Sequence, residues 1–181
     1  MVIWLIGLSG AGKTTVAESL CKRMREAGKP VVLVDGDQMR RLFRHDEHQH
    51  AHTVEGRRQN AARMTEVCRW LDTQDVNVVC SILSIFPEMR AENRALFSDY
   101  FEVYLSVPMQ VLEARDSKGL YAAARAGEIE NVVGIDIPFP EPQSADLVIE
   151  NHGDDMSPAQ AVEQIMDMLR ANGCIQGTTT P

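Results

Sequence analysis

Val2-Ile3-Trp4-Leu5-Ile6-Gly7-Leu8-Ser9-Gly10-Ala11-Gly12-Lys13-Thr14-Thr15 opens the chain and decides how the rest is read. Residues 2–6 form a short, continuous apolar run, the pattern of a strand buried on both faces of a parallel sheet. Residues 7–14 then match G-x-x-x-x-G-K-[ST] at every fixed position. Behind them, residues 14–27 carry helical spacing through Val16, Leu20 and Met24, and Gly28 stands where a C-cap belongs. A second β-rich run at 30–34 completes strand, loop, helix and strand, the βαβ unit of a parallel sheet.

Glycines at a strand-to-helix turn let backbone N–H groups curl around phosphate oxygens, and the helix N-terminus adds positive potential. On this reading Gly7, Ser9, Gly10, Ala11, Gly12, Lys13, Thr14 and Thr15 hold the phosphates of ATP. Lys13 reaches the β and γ phosphates and serves catalysis, while the Thr14 hydroxyl ligates Mg²⁺. A chance glycine turn is the bland alternative, and the matching elements on both sides argue against it. The motif fixes a nucleotide and leaves the reaction open.

Further along, residues 76–83 and 101–107 read as buried strands and 146–150 as a late one, with helices over 57–74, 88–97 and 157–171. The repeated order predicts a P-loop NTPase fold, an α/β protein of three α/β/α layers around a mostly parallel, doubly wound sheet. Ligands gather at the carboxyl ends of such strands. Residues 44–55, rich in histidine, and 116–143, charged and punctuated by glycine and proline, interrupt the rhythm and read as cover over a site, the second as a mobile lid. A single domain over 1–172 with a frayed tail over 173–181 is expected.

The 181 residues carry a net charge of −8, which argues against a nucleic-acid polymer as partner, because phosphate backbones are held by Lys and Arg. An anionic small molecule would need cations gathered locally. Cys21, Cys68, Cys80 and Cys174 lie far apart with no C-x-x-C pair, which suits reduced, mostly buried thiols. No stretch approaches the roughly 18 apolar residues of a membrane span. A cytoplasmic protein without a membrane partner is the expectation.

Asp35-Gly36-Asp37 follows the second strand, so both carboxylates emerge beside the phosphate loop. Asp37 could orient or deprotonate an attacking hydroxyl, and Asp35 could act through Mg²⁺. The same tripeptide also suits a turn leading into a helix cap. His48, His50 and His52 alternate and could converge on a transition ion, though a solvated loop explains them more simply.

The residues quoted so far, with Asp35-Gly36-Asp37-Gln38-Met39-Arg40, Arg57 with Asn60, Arg115-Asp116-Ser117-Lys118-Gly119-Leu120-Tyr121, Ala124-Arg125-Ala126-Gly127-Glu128-Ile129 and Gly134-Ile135-Asp136, closely resemble the adenylylsulfate (APS) kinase family. The blocks run in family order over about residues 2–170. The resemblance implies phosphorylation of a ribose 3′-hydroxyl on a small nucleotide-linked acceptor, using ATP and Mg²⁺, in an enzyme that is commonly a homodimer. Carried onto this chain, it implies that Asp37 handles the hydroxyl, that Arg40, Arg57 and Asn60 hold the acceptor, and that Leu83 and Ser84 lie beside it. Lys118 with the Gly119 and Leu120 backbone looks like the lid's contact to the acceptor, Arg115 like a contact to ATP, and Thr14 with Asp35 like the metal site.

Where the family carries two phenylalanines that sandwich the acceptor's adenine, this chain has the longer 45–52 segment and Asn131-Val132-Val133-Gly134. Residues 83–90 keep Ser84, Phe86 and Arg90 but lack an arginine and an aspartate of the family pattern. Adenylylsulfate is the first acceptor implied; cytidine diphosphoramidate, the acceptor of a branch that residues 77–88 resemble, is the alternative. A regulatory GTPase, suggested by D-x-x-G at Asp116-Ser117-Lys118-Gly119, and a non-catalytic nucleotide-binding protein are more distant readings.

Overall fold

Strand β1 (Val2–Ile6) is buried at every position, as its unbroken apolar run requires, and lies at the centre of a five-stranded sheet. The computed structural model describes residues 1–44, 50–116, 118–152 and 156–175. Around β1 the order is β2-β3-β1-β4-β5, with β2 spanning Val31–Asp35, β3 Asn77–Ile82, β4 Tyr100–Ser106 and β5 Leu147–Glu150. Every pairing is parallel.

Alternation along β1 splits the core in two. Ile3 and Leu5 pack with α1 (Lys13–Glu26) and α7 (Pro158–Ala171) on one face, through residues such as Leu20, Met24, Ile165 and Leu169. Val2, Trp4 and Ile6 pack on the other with α3 (Val54–Asp72), through Ala61, Met64 and Cys68. The α/β/α layering therefore follows directly from the strand period. α7 starts with a reciprocal capping box between Ser157 and Gln160, and Pro158 occupies a first-turn position where its missing N–H costs nothing.

Register decides which residues meet at the sheet's carboxyl edge. Ile6 lies opposite Ile82 of β3, so Gly7 and Leu83 leave the sheet side by side. Asp35 lies opposite Ser81, which brings the end of β2 to the same edge. Ile6 also faces Tyr104 of β4, and Ser106 faces Glu150 of β5.

Three short helices join those expected: α2 (Gly36–Leu42), α5 (Met109–Ala114) and α6 (Leu120–Arg125); α4 spans Pro87–Leu96. The interval 116–143, expected to be a mobile lid, holds α6 and an isolated bridge between Val133 and Ile137. Of the expected tail, Gly173 to Cys174 turn back onto the end of α7, and Ile175 is 5% exposed within the core; the packed chain extends past residue 172. Cys21, Cys68 and Cys80 are buried free thiols, and Cys174 is half-buried. Among the described residues no helix is long and apolar enough to cross a membrane.

Candidate active site

The phosphate loop is shaped by how closely it approaches the sheet. A Cβ at Gly7 would sit 2.9 Å from the Leu105 carbonyl oxygen and 3.2 Å from the Ala11 side chain, so only glycine lets the chain leave β1 this tightly. The first turn of α1 has no side-chain cap, which leaves its N–H groups directed at the loop's concave side. Lys13 Nζ donates to the Leu8 carbonyl at 2.8 Å, folding the side chain back over the loop. Burial lowers the Lys13 ammonium pKa to about 8; Asp37 and Asp35 nearby oppose the shift, and Arg40 adds to it.

Asp35 joins this loop to the second strand. Its Oδ2 accepts the Thr14 hydroxyl at 2.9 Å, while its Oδ1 accepts the backbone N–H groups of Asp37 and Gln38 at 3.0 and 3.2 Å. The carboxylate is 4% exposed. The expected helix cap is thus present, since Asp35 caps α2, and its other carboxylate oxygen meets the hydroxyl of the phosphate motif.

Asp37, in the first turn of α2, carries an exposed carboxylate paired with Arg40. Arg57, near the start of α3, donates from Nε to the His52 carbonyl at 2.8 Å and from a terminal nitrogen to the Asn131 carbonyl at 2.9 Å. Burial lowers its pKa, as does neighbouring Arg40, against the opposing charges of Asp136 and Asp37. These four charged groups thus share one region beside the phosphate loop. Asp136 in turn accepts from the N–H groups of Asn131 and Val132, which fixes the segment that Arg57 touches. Residues 45–49 of the histidine-rich stretch, with His45 and His48, lie outside the described residues.

Two expected acceptor residues are more enclosed. Asn60 is 3% exposed; its Nδ2 contacts the Met64 sulfur at 3.5 Å, and its Oδ1 has no hydrogen-bond partner among the described residues. Ser84 is buried with a φ of 56°, and its hydroxyl accepts from Trp4 Nε1 at 3.4 Å. Leu83 beside it is half-buried. Arg90 of α4 holds this wall: it donates to the Ser84 carbonyl at 2.8 Å and the Pro140 carbonyl at 3.2 Å, and pairs with buried Glu102 at 3.7 Å. Val132, where an aromatic face was missing from the sequence, is buried in the core on the α1 and α7 side.

On the opposite side of the loop, a cavity of about 240 Å³ is lined by Gly12, Thr15, Arg115, Asn151, Met156 and Pro158. Arg115 donates to Asn151 Oδ1 at 3.5 Å. Asn151 and Met156 carried no sequence signal, because it is the β4–β5 register, extended by the Asn151 N–H to the Ser106 carbonyl, that delivers them. Between the two sides runs the interval from Arg115 to α6. The Asp116 carboxylate accepts from the N–H groups of Leu120, Tyr121 and Ala122, Gly119 adopts φ 66°, and Lys118 is exposed. Asp116 therefore acts as the cap of α6, which accounts for the D-x-x-G spacing without a switch.

A glycine loop between β1 and α1, a carboxylate at the end of the neighbouring strand meeting that loop's threonine, and an arginine-walled region across from a separate cavity together define a P-loop kinase. A family model described as adenylylsulphate kinase matches residues 1–150, and the chain belongs to that family. It is 40% identical over 179 residues to the adenylyl-sulfate kinase of Paraburkholderia xenovorans, covering 97% of this chain and 96% of the relative. It is also 38% identical over 150 residues to the cytidine diphosphoramidate kinase of Campylobacter jejuni, covering 83% and 85%. Its fold superposes on the Mycobacterium tuberculosis APS kinase in complex with AMPPNP and APS with a TM-score of 0.83, at 34% identity over 93% of this chain and 96% of that one.

Proposed function

We propose that this kinase transfers the terminal phosphoryl group of ATP to the ribose 3′-hydroxyl of a nucleotide-linked acceptor, with adenylylsulfate the first candidate. The observation that carries the reading is the Thr14–Asp35 bond, which joins the phosphate loop to the turn bearing Asp37. Loop N–H groups and Lys13 hold the β and γ phosphates, and Arg115 with Thr15 borders the cavity for the rest of ATP. Asp37 takes the proton of the attacking hydroxyl, with Arg40 orienting its carboxylate. Arg40, Arg57 and the enclosed Asn60 Oδ1 position the acceptor, against the wall of Leu83 and Ser84 and under the lid formed by Lys118, Gly119 and Leu120.

Thr14 and Asp35 present hard oxygen donors 2.9 Å apart at the mouth of the loop, a set that fits Mg²⁺. Bound there, the ion would neutralise charge on the phosphates being separated. A homodimer of single-domain chains in the cytoplasm is the proposed working form, supported by the family's common state.

A cytidine conjugate is the second reading, favoured by one observation: Val132 is buried in the core, so this segment offers the acceptor no aromatic face there. The test is ATP consumption with adenylylsulfate, cytidine diphosphoramidate and plain nucleosides, with phosphorus NMR to locate the new phosphate. Turnover of one of the first two, with a 3′-phosphate in the product, is expected. Absence of turnover with every ribose-bearing acceptor would overturn the proposal.

A further inference from the structure

Tyr121 lies on the inner face of α6, 2% exposed, and its hydroxyl donates to the Ser9 carbonyl at 2.8 Å. This contact joins the lid interval to the middle of the phosphate loop across 112 positions of chain. The Ser9 carbonyl and the Gly10 N–H belong to one planar peptide unit and point in opposite directions. A bond that holds the carbonyl on Tyr121 therefore aims the Gly10 N–H to the other side. Gly10 has a φ of 78°, and a glycine has no side chain to oppose rotation of the peptide before it. The orientation of the Ser9–Gly10 peptide consequently needs an outside anchor, and Tyr121 is positioned to be one.

The anchor is itself firmly held. Asp116 accepts from the N–H groups of Leu120, Tyr121 and Ala122 at 2.9, 2.7 and 3.0 Å, so the first turn of α6 is fixed to the residue following Arg115. Burial raises the Tyr121 phenol to about 12, with Asp116 and Glu113 adding to the shift, and the group remains a donor through the neutral range. Lys118 and Gly119 lie immediately before this turn.

We infer that Tyr121 is a positioning residue that sets the Ser9–Gly10 peptide for phosphate binding and thereby couples the lid interval to the ATP site. The part concerning acceptor coupling rests on the proposed reading of Lys118 to Leu120 as the acceptor lid; the part concerning ATP does not.

Tyr121→Phe removes one oxygen and keeps the ring. ATP binding is measured directly by calorimetry without any acceptor, so its outcome is separate from the acceptor's identity. One hydrogen bond of ordinary strength predicts a loss of ATP affinity of about 3- to 10-fold. The melting temperature should stay close to that of the wild type, and saturating ATP should strengthen acceptor binding less than in the wild type, the arm that depends on the lid reading. Asp116→Ala, which loosens the turn presenting Tyr121, should weaken ATP in the same direction, and little further in the double variant. Unchanged ATP affinity in Tyr121→Phe would overturn the inference. So would a fall in stability with ATP affinity intact, which would make the hydroxyl a packing feature. Should Tyr121→Phe fail to fold, Asp116→Ala decides the matter by the same ATP measurement.

Discussion

The Thr14 hydroxyl and the Asp35 carboxylate meet at 2.9 Å, and the same carboxylate caps α2 with its other oxygen. One side chain thus serves the phosphate loop and the helix that carries Asp37. The two duties are separable by substitution, because Asn caps a helix about as well as Asp but lacks the charge.

Asp35→Asn is expected to keep its stability within about 0.5 kcal/mol while losing about 100-fold or more in turnover. Asp35→Ala should lose the cap as well, a further cost of about 1 kcal/mol. Chemical denaturation alongside steady-state kinetics checks both. Equal activity in wild type and Asp35→Asn would remove Asp35 from the reaction.

Asp37→Ala should lower acceptor-dependent turnover by about 100- to 10,000-fold, the range for a lost general base. Its carboxylate is exposed, so folding and ATP affinity should hold. Rapid-quench kinetics at saturating ATP separates this loss from a binding defect.

Lys13 gives a pH signature. Its ammonium pKa falls from 10.5 in the unfolded chain to about 8 in the fold, so between these values the unfolded chain holds the extra proton. Stability must therefore rise with pH from about 8 to 10.5 in wild type, and Lys13→Met should lack that rise. Phosphate binding requires the charged form, so ATP should bind with proton uptake above pH 8, read by calorimetry in buffers of different ionisation enthalpy.

Arg90 and Glu102 form a buried pair, at 6% and 2% exposure. Burial pushes the Glu102 carboxyl up, and Arg90 and Arg94 oppose this. Arg90→Met should destabilise by about 3 kcal/mol, because it leaves buried Glu102 only the more distant Arg94 at 4.0 Å and the Tyr100 hydroxyl at 3.3 Å. Arg90→Met with Glu102→Gln should recover much of the loss in urea denaturation. A double variant no more stable than Arg90→Met would assign the cost to the freed Ser84 and Pro140 carbonyls instead.

Much of the scaffold was legible because its signals are local. The apolar run of β1 and the Ser157-Pro158 start of α7 each reveal an element within a few residues. α2, α5 and α6 escaped because six or seven residues are too few to display a helical period. At the site, the motif residues around Thr14, Asp35 and Asp37 do gather, since sheet register follows from the strands. The left-handed turn at Ser84, the inward Asn60 and the Tyr121–Ser9 contact depend on tertiary partners that no spacing encodes. Tyr121 ends the 115–121 motif, yet nothing in that motif identifies its partner.

The anchoring of the wall proposed to face the acceptor has an evolutionary consequence. Arg57 grips the Asn131 carbonyl, and Arg90, braced from behind by Glu102, grips those of Ser84 and Pro140, so the arginines hold the wall itself through its main chain. Mutations at these wall positions can change what the wall presents without loosening its attachment. Specificity can drift here while the machinery for handling ATP stays fixed, a division that would let one ancestral kinase diversify toward different nucleotide conjugates.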